Sequence, residues 1–316
     1  TEPLHQSGMA LLEARPDIEI VFAKDITPQV LAEAVTGVHA IAVRVAELPV
    51  EVLSCANELE VISRHGVGCD RLDMEHLNGR GIPVMIAAGA NVTSVAEHAM
   101  GLLLATARGL VAQDRAIREG WFNERLKRLA SDLSGATILI IGFGRIGRNL
   151  APLARAFGME AIVADIALDE ALAEEMGCRG VSDFRPELPN TDVISLHVPL
   201  DETTRGFISS DEFAAMKDGA ILINTARGGV VDETAMIAAL DSGKLTAAGL
   251  DVFALEPAPD TQPLFNRSDV VLSPHTAAGS YNSIRKSAEM TVQNILDFFD
   301  GVPSKDCIFN RDELGL

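Results

Sequence analysis

Ala136-Thr137-Ile138-Leu139-Ile140-Ile141-Gly142-Phe143-Gly144-Arg145-Ile146-Gly147 is the stretch that decides the fold. An apolar run ending in G-x-G-x-x-G reads as a buried parallel strand over 136–141, a tight turn, and a helix over 146–157. Gly142 permits the turn, Gly144 lets bare backbone approach a pyrophosphate, and Gly147 allows close helix packing. Arg145 and Ile146 open a helix whose first N–H groups favour an anion. The next strand, 160–165, ends on Asp165, close to the ~20-residue spacing at which a carboxylate meets ribose hydroxyls. Together these features point to a dinucleotide. Asp165 would repel a 2′-phosphate, and Ile166-Ala167-Leu168-Asp169-Glu170-Ala171 carries no cation to hold one. NAD is therefore expected over NADP.

Strands continue at 193–197, 220–224, 247–251 and 270–272, making about six with helices between them. Their carboxyl ends, with His197, Val198, Pro199, Thr204, Asn224, Thr225, Ala226 and Asp251, are expected to line the cofactor crevice. Upstream, strands are predicted at 19–22, 40–43, 60–64 and 83–86, with helices at 27–34 and 49–55 that each carry Pro near the first turn. Thr93 is expected to cap a long apolar helix from Ser94 to about Arg108 that continues after Gly109 toward Gly120, with a Ser94–Glu97 capping box. Its Ala99–Ala107 face is too apolar for solvent. That face either packs inside its domain or forms a subunit contact, and the second is preferred.

A last helix over 281–300 returns to the first strands. The fold class is α/β, with two Rossmann-like doubly wound parallel-sheet domains and an interdomain cleft. Residues 1–88 plus 281–316 form the substrate-binding domain, and 89–280 form the NAD-binding domain, hinged near residues 88 and 280. Thr1 falls where a first strand would end, so a few native residues are expected upstream.

Net charge of −19 and a pI near 4.7 disfavour nucleic acid and anionic membrane as partners. Four cysteines without a CxxC pair fit a reducing compartment and no metal site. No basic n-region, apolar h-region or membrane-length apolar run is present. A cytoplasmic location is expected.

The chemistry is carried by Asn224-Thr225-Ala226-Arg227-Gly228-Gly229, Glu256-Pro257 and Pro274-His275-Thr276-Ala277. Hydride transfer to a ketone leaves negative charge growing on oxygen, so a proton donor and a fixed cation are needed. His275 can give or take that proton near neutrality. Arg227 grips a carboxylate, or a carboxylate and carbonyl together, through its planar fork. A carboxylate beside the histidine favours the imidazolium, and Glu256 is the candidate. Arg227 and His275 would also border the cofactor. The reaction implied is reduction of a small 2-oxo acid.

Those segments, with Gly66-Val67-Gly68-Cys69-Asp70, Ser94-Val95-Ala96-Glu97-His98, His197-Val198-Pro199-Leu200 and Gly249-Leu250-Asp251-Val252-Phe253, resemble the D-isomer-specific 2-hydroxyacid dehydrogenase family. The family includes glycerate, lactate and phosphoglycerate dehydrogenases, and the resemblance spans essentially the whole chain. It implies the same roles for Arg227, Glu256 and His275, D-stereochemistry, and a substrate carboxylate held partly by the N–H groups of Val67 and Gly68. Gly66 lets that loop bare its backbone. Arg64 and His65 replace small apolar residues of relatives, and either contact an anionic substrate tail or point to solvent. The roles of Asn91 and Trp121 stay open, the latter between an interface anchor and a substrate contact. A homodimer through the 94–120 helical region is expected. The chain stops soon after its terminal helix, so the regulatory domains of many phosphoglycerate dehydrogenases are not expected. Related formate dehydrogenases carry glutamine where Glu256 stands. The alternative from another class is a catalytically reduced NAD-sensing interaction protein, like the superfamily's corepressors.

Overall fold

The computed structural model describes residues 1–123 and 130–316. The chain divides into two compact units, one of residues 1–91 with 279–316, the other of 92–278.

The larger unit is built on seven parallel strands: β4 (Thr137–Ile141), β5 (Glu160–Ala164), β6 (Arg179–Val181), β7 (Val193–Leu196), β8 (Ala220–Asn224), β9 (Leu245–Leu250) and β10 (Val270–Leu272). Their order across the sheet is β10-β9-β8-β7-β4-β5-β6. The strand sequence therefore reverses between β4 and β7, and such a switch point opens a crevice at the carboxyl edge. Short β6 was not anticipated from the sequence. Its Arg-Gly-Val has too little β-branched character to stand out, and it forms by pairing with β5.

Both sheet faces are covered from within the unit. One cluster joins Leu139, Ile194 and Leu222 to Phe213 and Met236. The other joins Ile138, Ile140 and Val163 to Ala99, Leu103, Leu150 and Ala154. Full burial of each Leu or Ile contributes roughly 1.5–3 kcal/mol, so a central strand reading Thr-Ile-Leu-Ile-Ile anchors the sheet.

Helix α5 (Val92–Ala107) begins one residue before the expected cap Thr93, so Thr93 and Ser94 lie inside its first turn and neither holds the cap position. Gly109, with φ of 61°, then breaks the chain into α6 (Leu110–Arg118), bent by 58°. The Ala99–Ala107 face is buried against the unit's own sheet and α7 (Arg145–Ala156), which corrects its expected use as a subunit contact. Apolar exposure instead falls on Leu110, Val111, Ile117, Trp121 and Phe122. Among the described residues no single helix is long and apolar enough to cross a membrane. The bent α5–α6 pair passes that test only by length and composition, and α5 is a core helix.

The smaller unit carries a three-stranded parallel sheet, β1 (Ala40–Val43), β2 (Val61–Arg64) and β3 (Val84–Ile86), in that order. The returning helix α11 (Tyr281–Phe299) and the segment after it are stitched to β3. Asn294 donates to the Ile86 carbonyl, Asn310 accepts from the Val84 N–H, and Ile308 bridges Met85. The strand expected at 19–22 is absent, with Val21 and Phe22 more than half exposed. The free edge of β1 is met instead by Thr1, whose ammonium donates to the Ala42 carbonyl at 2.7 Å. Without a ladder partner, the alternation at 18–22 stays irregular.

Candidate active site

At the switch point Gly142 has φ of 97°, and a Cβ there would lie 2.5 Å from the His197 carbonyl oxygen. A side chain at Gly147 would overlap the Gly142 carbonyl, whereas Gly144 faces open space. Gly142 and Gly147 thus have no room for a side chain, while the backbone of Gly144 is left bare. Phe143 is 2% exposed and pins the turn to the core. Arg145 starts α7 directly after the turn, with Ile146 following.

Asp165 stands just beyond β5. Its Oδ2 accepts the Phe143 N–H at 2.7 Å and its Oδ1 accepts the Ala167 N–H at 2.9 Å. The carboxylate therefore ties the fingerprint turn to the next loop, and each oxygen keeps a lone pair for a hydroxyl. Two buried polar atoms without a partner lie at neighbouring strand ends, His197 Nδ1 and Thr225 Oγ1. Burial holds the His197 ring neutral, with a pKa down at about 4, while its Nε2 pairs with the Ser195 hydroxyl at 2.8 Å. Buried polar atoms are nearly always paired, so an orphaned one beside the turn is a candidate contact for a bound group. His197, expected from the sequence among the strand ends that line the crevice, closes an otherwise apolar strand. The Thr204 hydroxyl donates to the Pro199 carbonyl and so closes the turn after Val198. A bare glycine turn, a carboxylate at the next strand end and unpaired polar atoms between them fit a dinucleotide.

Two strands away, β8 delivers Arg227 and the β9 and β10 loops deliver Glu256 and His275. Asn224 shapes the first of these loops: its Oδ1 accepts the Ala226 N–H and its Nδ2 donates to the Arg227 carbonyl. Gly228 has no room for a side chain, because a Cβ would overlap the Phe253 carbonyl group. Close approach of the two loops thus requires glycine. Arg227 donates from a terminal nitrogen to the Ala226 carbonyl at 2.7 Å.

His275 Nδ1 lies 2.7 Å from Glu256 Oε2. A carboxylate can only accept, so Nδ1 carries the proton and Nε2, on a ring 45% exposed, is the atom available for proton transfer. Burial opposes the charge on Glu256. The bonds from His275 and the Phe253 N–H, with the nearby charges of His275 and Arg227, outweigh that cost and hold the carboxyl below its usual range. His275 is the one non-glycine residue with positive φ, 52°, among the described residues. Asp251 explains how that backbone is held. Its carbonyl accepts the His275 N–H at 2.7 Å, and its fully buried carboxylate accepts the Thr276 and Ala277 N–H groups, both at 2.8 Å, and the Ser273 hydroxyl at 2.6 Å. His98 on α5 donates to Ser273 in turn at 2.8 Å. Asp251, expected only to line the crevice, is structurally the clamp of the His275 loop.

In the smaller unit, Gly66 takes φ of 142° and carries the loop 66–68. Arg64 Nε donates to the Gly68 carbonyl at 2.9 Å, propping the loop from behind. His65 Nε2 lies 3.3 Å from the Ile284 carbonyl. Burial lowers its pKa, and the charges of Arg44 and Arg64 act in the same direction. Val67 packs partly against the core. Asn91 Oδ1 is buried without a partner.

Fold and site together define an NAD-binding α/β protein with an Arg, Glu and His grouped on the loops of its sheet. Residues 100–277 match the NAD binding domain of the D-isomer specific 2-hydroxyacid dehydrogenases, and the chain belongs to that family. It is 35% identical over 308 residues to a D-3-phosphoglycerate dehydrogenase of Archaeoglobus fulgidus, covering 97% of this chain and 58% of that one. The chain thus spans little more than half the length of that relative. A hydroxypyruvate reductase of Thermotoga maritima is 37% identical over 298 residues, covering 93% of this chain and 95% of that one. The D-lactate dehydrogenase of Aquifex aeolicus, solved with NAD and lactic acid, superposes with a TM-score of 0.82 at 31% identity over 94% of this chain and 93% of that one.

Proposed function

We propose that the protein interconverts a small 2-oxo acid and its D-2-hydroxy acid with NAD(H). The observation that carries the reading is the His275–Glu256 pair at 2.7 Å, which leaves His275 Nε2 free, with Arg227 close enough for its charge to act on Glu256. Bound NADH supplies the hydride. Arg227 holds the substrate's carboxylate and carbonyl and stabilises the charge that grows on oxygen. His275 gives an Nε2 proton to that oxygen, while Glu256 keeps the ring oriented through Nδ1. Gly142, Gly144, Arg145, Ile146, Gly147 and Asp165 hold the pyrophosphate and ribose. Val198, Pro199, Thr204, Thr225 and Ala226 line the remainder of the cofactor site, while Asp251, fully buried, acts through the His275 loop that it clamps. Residues 1–88 with 281–316 serve as the substrate-binding domain and 89–280 as the NAD-binding domain. The N–H groups of Val67 and Gly68 receive the substrate carboxylate, with Gly66 and Arg64 setting the loop.

The same reading takes the protein as a cytoplasmic homodimer. Support for the dimer comes from α6, which buries none of its own residues yet presents Leu110, Val111 and Ile117, followed by Trp121 and Phe122. Such a patch on a chain of net charge −19 calls for a cover. Four free cysteines support a reducing compartment.

The test is NADH oxidation with glyoxylate, pyruvate, hydroxypyruvate, phosphohydroxypyruvate, sulfopyruvate and bulkier 2-oxo acids, for wild type and His275→Ala. Turnover with at least one acid is expected, with loss of about 10²–10⁴-fold in kcat and retained NADH binding in the variant. Undiminished turnover without His275 would overturn the reading.

A further inference from the structure

Glu256 sits on a loop that leaves β9 at Leu250 and has little regular structure until the short 3₁₀ turn at Pro263–Asn266. Something must fix that loop if Glu256 is to stay 2.7 Å from His275. The fixing group comes from a different element. Helix α10 (Glu233–Asp241) begins with Glu233, and its two carboxylate oxygens reach the two ends of the loop. Oε1 accepts the Ala254 N–H at 2.7 Å, two residues before Glu256, and Oε2 accepts the Gln262 side-chain amide at 3.1 Å, six residues after it. Gln262 is 7% exposed and caps the 3₁₀ turn, whose Leu264 is fully buried, so the far end is anchored in the core. Phe253 and Phe265 meet edge to face at 5.9 Å across the same closure.

Glu233 has no need to serve its own helix. Asp232 already caps α10 by accepting the Ala235 N–H. The Glu233 carboxylate is turned off the helix and onto the loop, where hydrogen bonds to an ionised acceptor are among the stronger ones a protein makes. Glu256 is then suspended between the Phe253 N–H at 3.1 Å and His275, within a segment closed at both ends by one side chain.

We propose that Glu233 is a positioning residue of the reaction: it staples residues 254 and 262 and so sets the Glu256–His275 distance. This rests on the oxidoreductase reading above. Glu233 touches neither His275 nor Arg227, so its effect belongs in kcat and not in cofactor affinity. A misplacement of about 1 Å at a catalytic pair costs on the order of 10²-fold, and Glu233→Ala is expected to lower kcat by about 10- to 100-fold. NADH affinity, measured by nicotinamide fluorescence, is expected to stay within about twofold, which is under ~0.5 kcal/mol. Glu233→Gln is expected to keep most of the activity, because its amide oxygen can accept from Ala254 and its NH₂ can donate to a turned Gln262 amide. Should Glu233→Ala fail to fold, Gln262→Ala removes the far staple alone, with an intermediate loss of kcat expected.

Wild-type kcat in Glu233→Ala, or in Gln262→Ala where the first does not fold, overturns the inference. So does a Glu233→Gln variant as impaired as the alanine one, or a parallel loss of NADH affinity. A wild-type protein inactive on every 2-oxo acid overturns the functional reading and this inference with it. Active wild type with unaffected Glu233 variants overturns the inference alone.

Discussion

His275 holds a left-handed backbone that most side chains avoid, at a cost of order 1–3 kcal/mol. Asp251 offsets it with four hydrogen bonds, three through its side chain and one through its carbonyl. The ring is thus aimed by backbone geometry as much as by Glu256. Gly228 sets the other side of the site. Gly228→Ala would force the Arg227 and Phe253 loops apart, so kcat is expected to fall about 10²-fold while the thermal transition stays cooperative; steady-state kinetics beside a melting curve check this. Glu256 gives a pH prediction. Its folded pKa is depressed, so the stability it lends is present above the ordinary carboxylate pKa and is lost as pH falls through the lowered value. The wild-type pair therefore survives mild acid. In Glu256→Gln a neutral amide replaces the charged acceptor that orients the His275 ring, and kcat is expected to fall by about 10-fold or more across the pH range. A pH–rate profile superimposable on the wild type would contradict this role for Glu256.

Among elements, the β4–turn–α7 unit was the most legible in the sequence, because its strand is buried on both faces and its turn permits only glycine at defined places. Gly142→Ala must meet both a φ of 97° and a His197 oxygen 2.5 Å away. NADH binding is expected to weaken by about tenfold or more, with about 1–3 kcal/mol lost from stability, read by fluorescence titration and by denaturant unfolding. Strands 40–43, 220–224 and 270–272 were equally legible, each a β-branched or apolar run closed by a change in polarity. What stayed hidden depended on long-range pairing. The alternation at 18–22 has strand character but finds no ladder, while Arg179–Val181 has little strand character and finds one. Helix starts were misplaced where a cap residue was read in isolation: Thr93 is a good cap by type, yet α5 already begins at Val92. Within the site, Arg227, Glu256 and His275 were legible because the chemistry demands those side-chain types. Asp251, Gly228 and Glu233 act through backbone groups far away in sequence, and only the fold brings those groups to them.

At the scale of the whole molecule the two units differ in how they are made. Residues 92–278 form one continuous segment whose sheet is covered on both faces by its own helices. The other unit joins two distant segments, with Gly8 against Ala288 and Asn310 against Val84, so neither piece is complete without the other. The 92–278 segment contains the fingerprint turn, Asp165 and His197, and it is expected to fold alone. Expressed by itself, it should unfold in a single cooperative transition and bind NADH with an affinity within about tenfold of the full chain, about 1.4 kcal/mol. The proposed reaction uses the 66–68 loop, so this segment is expected to reduce no 2-oxo acid. It also retains α6 with Val111 and Ile117 about half exposed, so sedimentation equilibrium should show a dimer. Val111→Asp with Ile117→Asp should yield a monomer, since two carboxylates would have to be desolvated at the contact, at a cost of several kcal/mol. An excised segment that aggregates even with both aspartates, or that binds no NADH, would show that the NAD-binding fold depends on the rest of the chain.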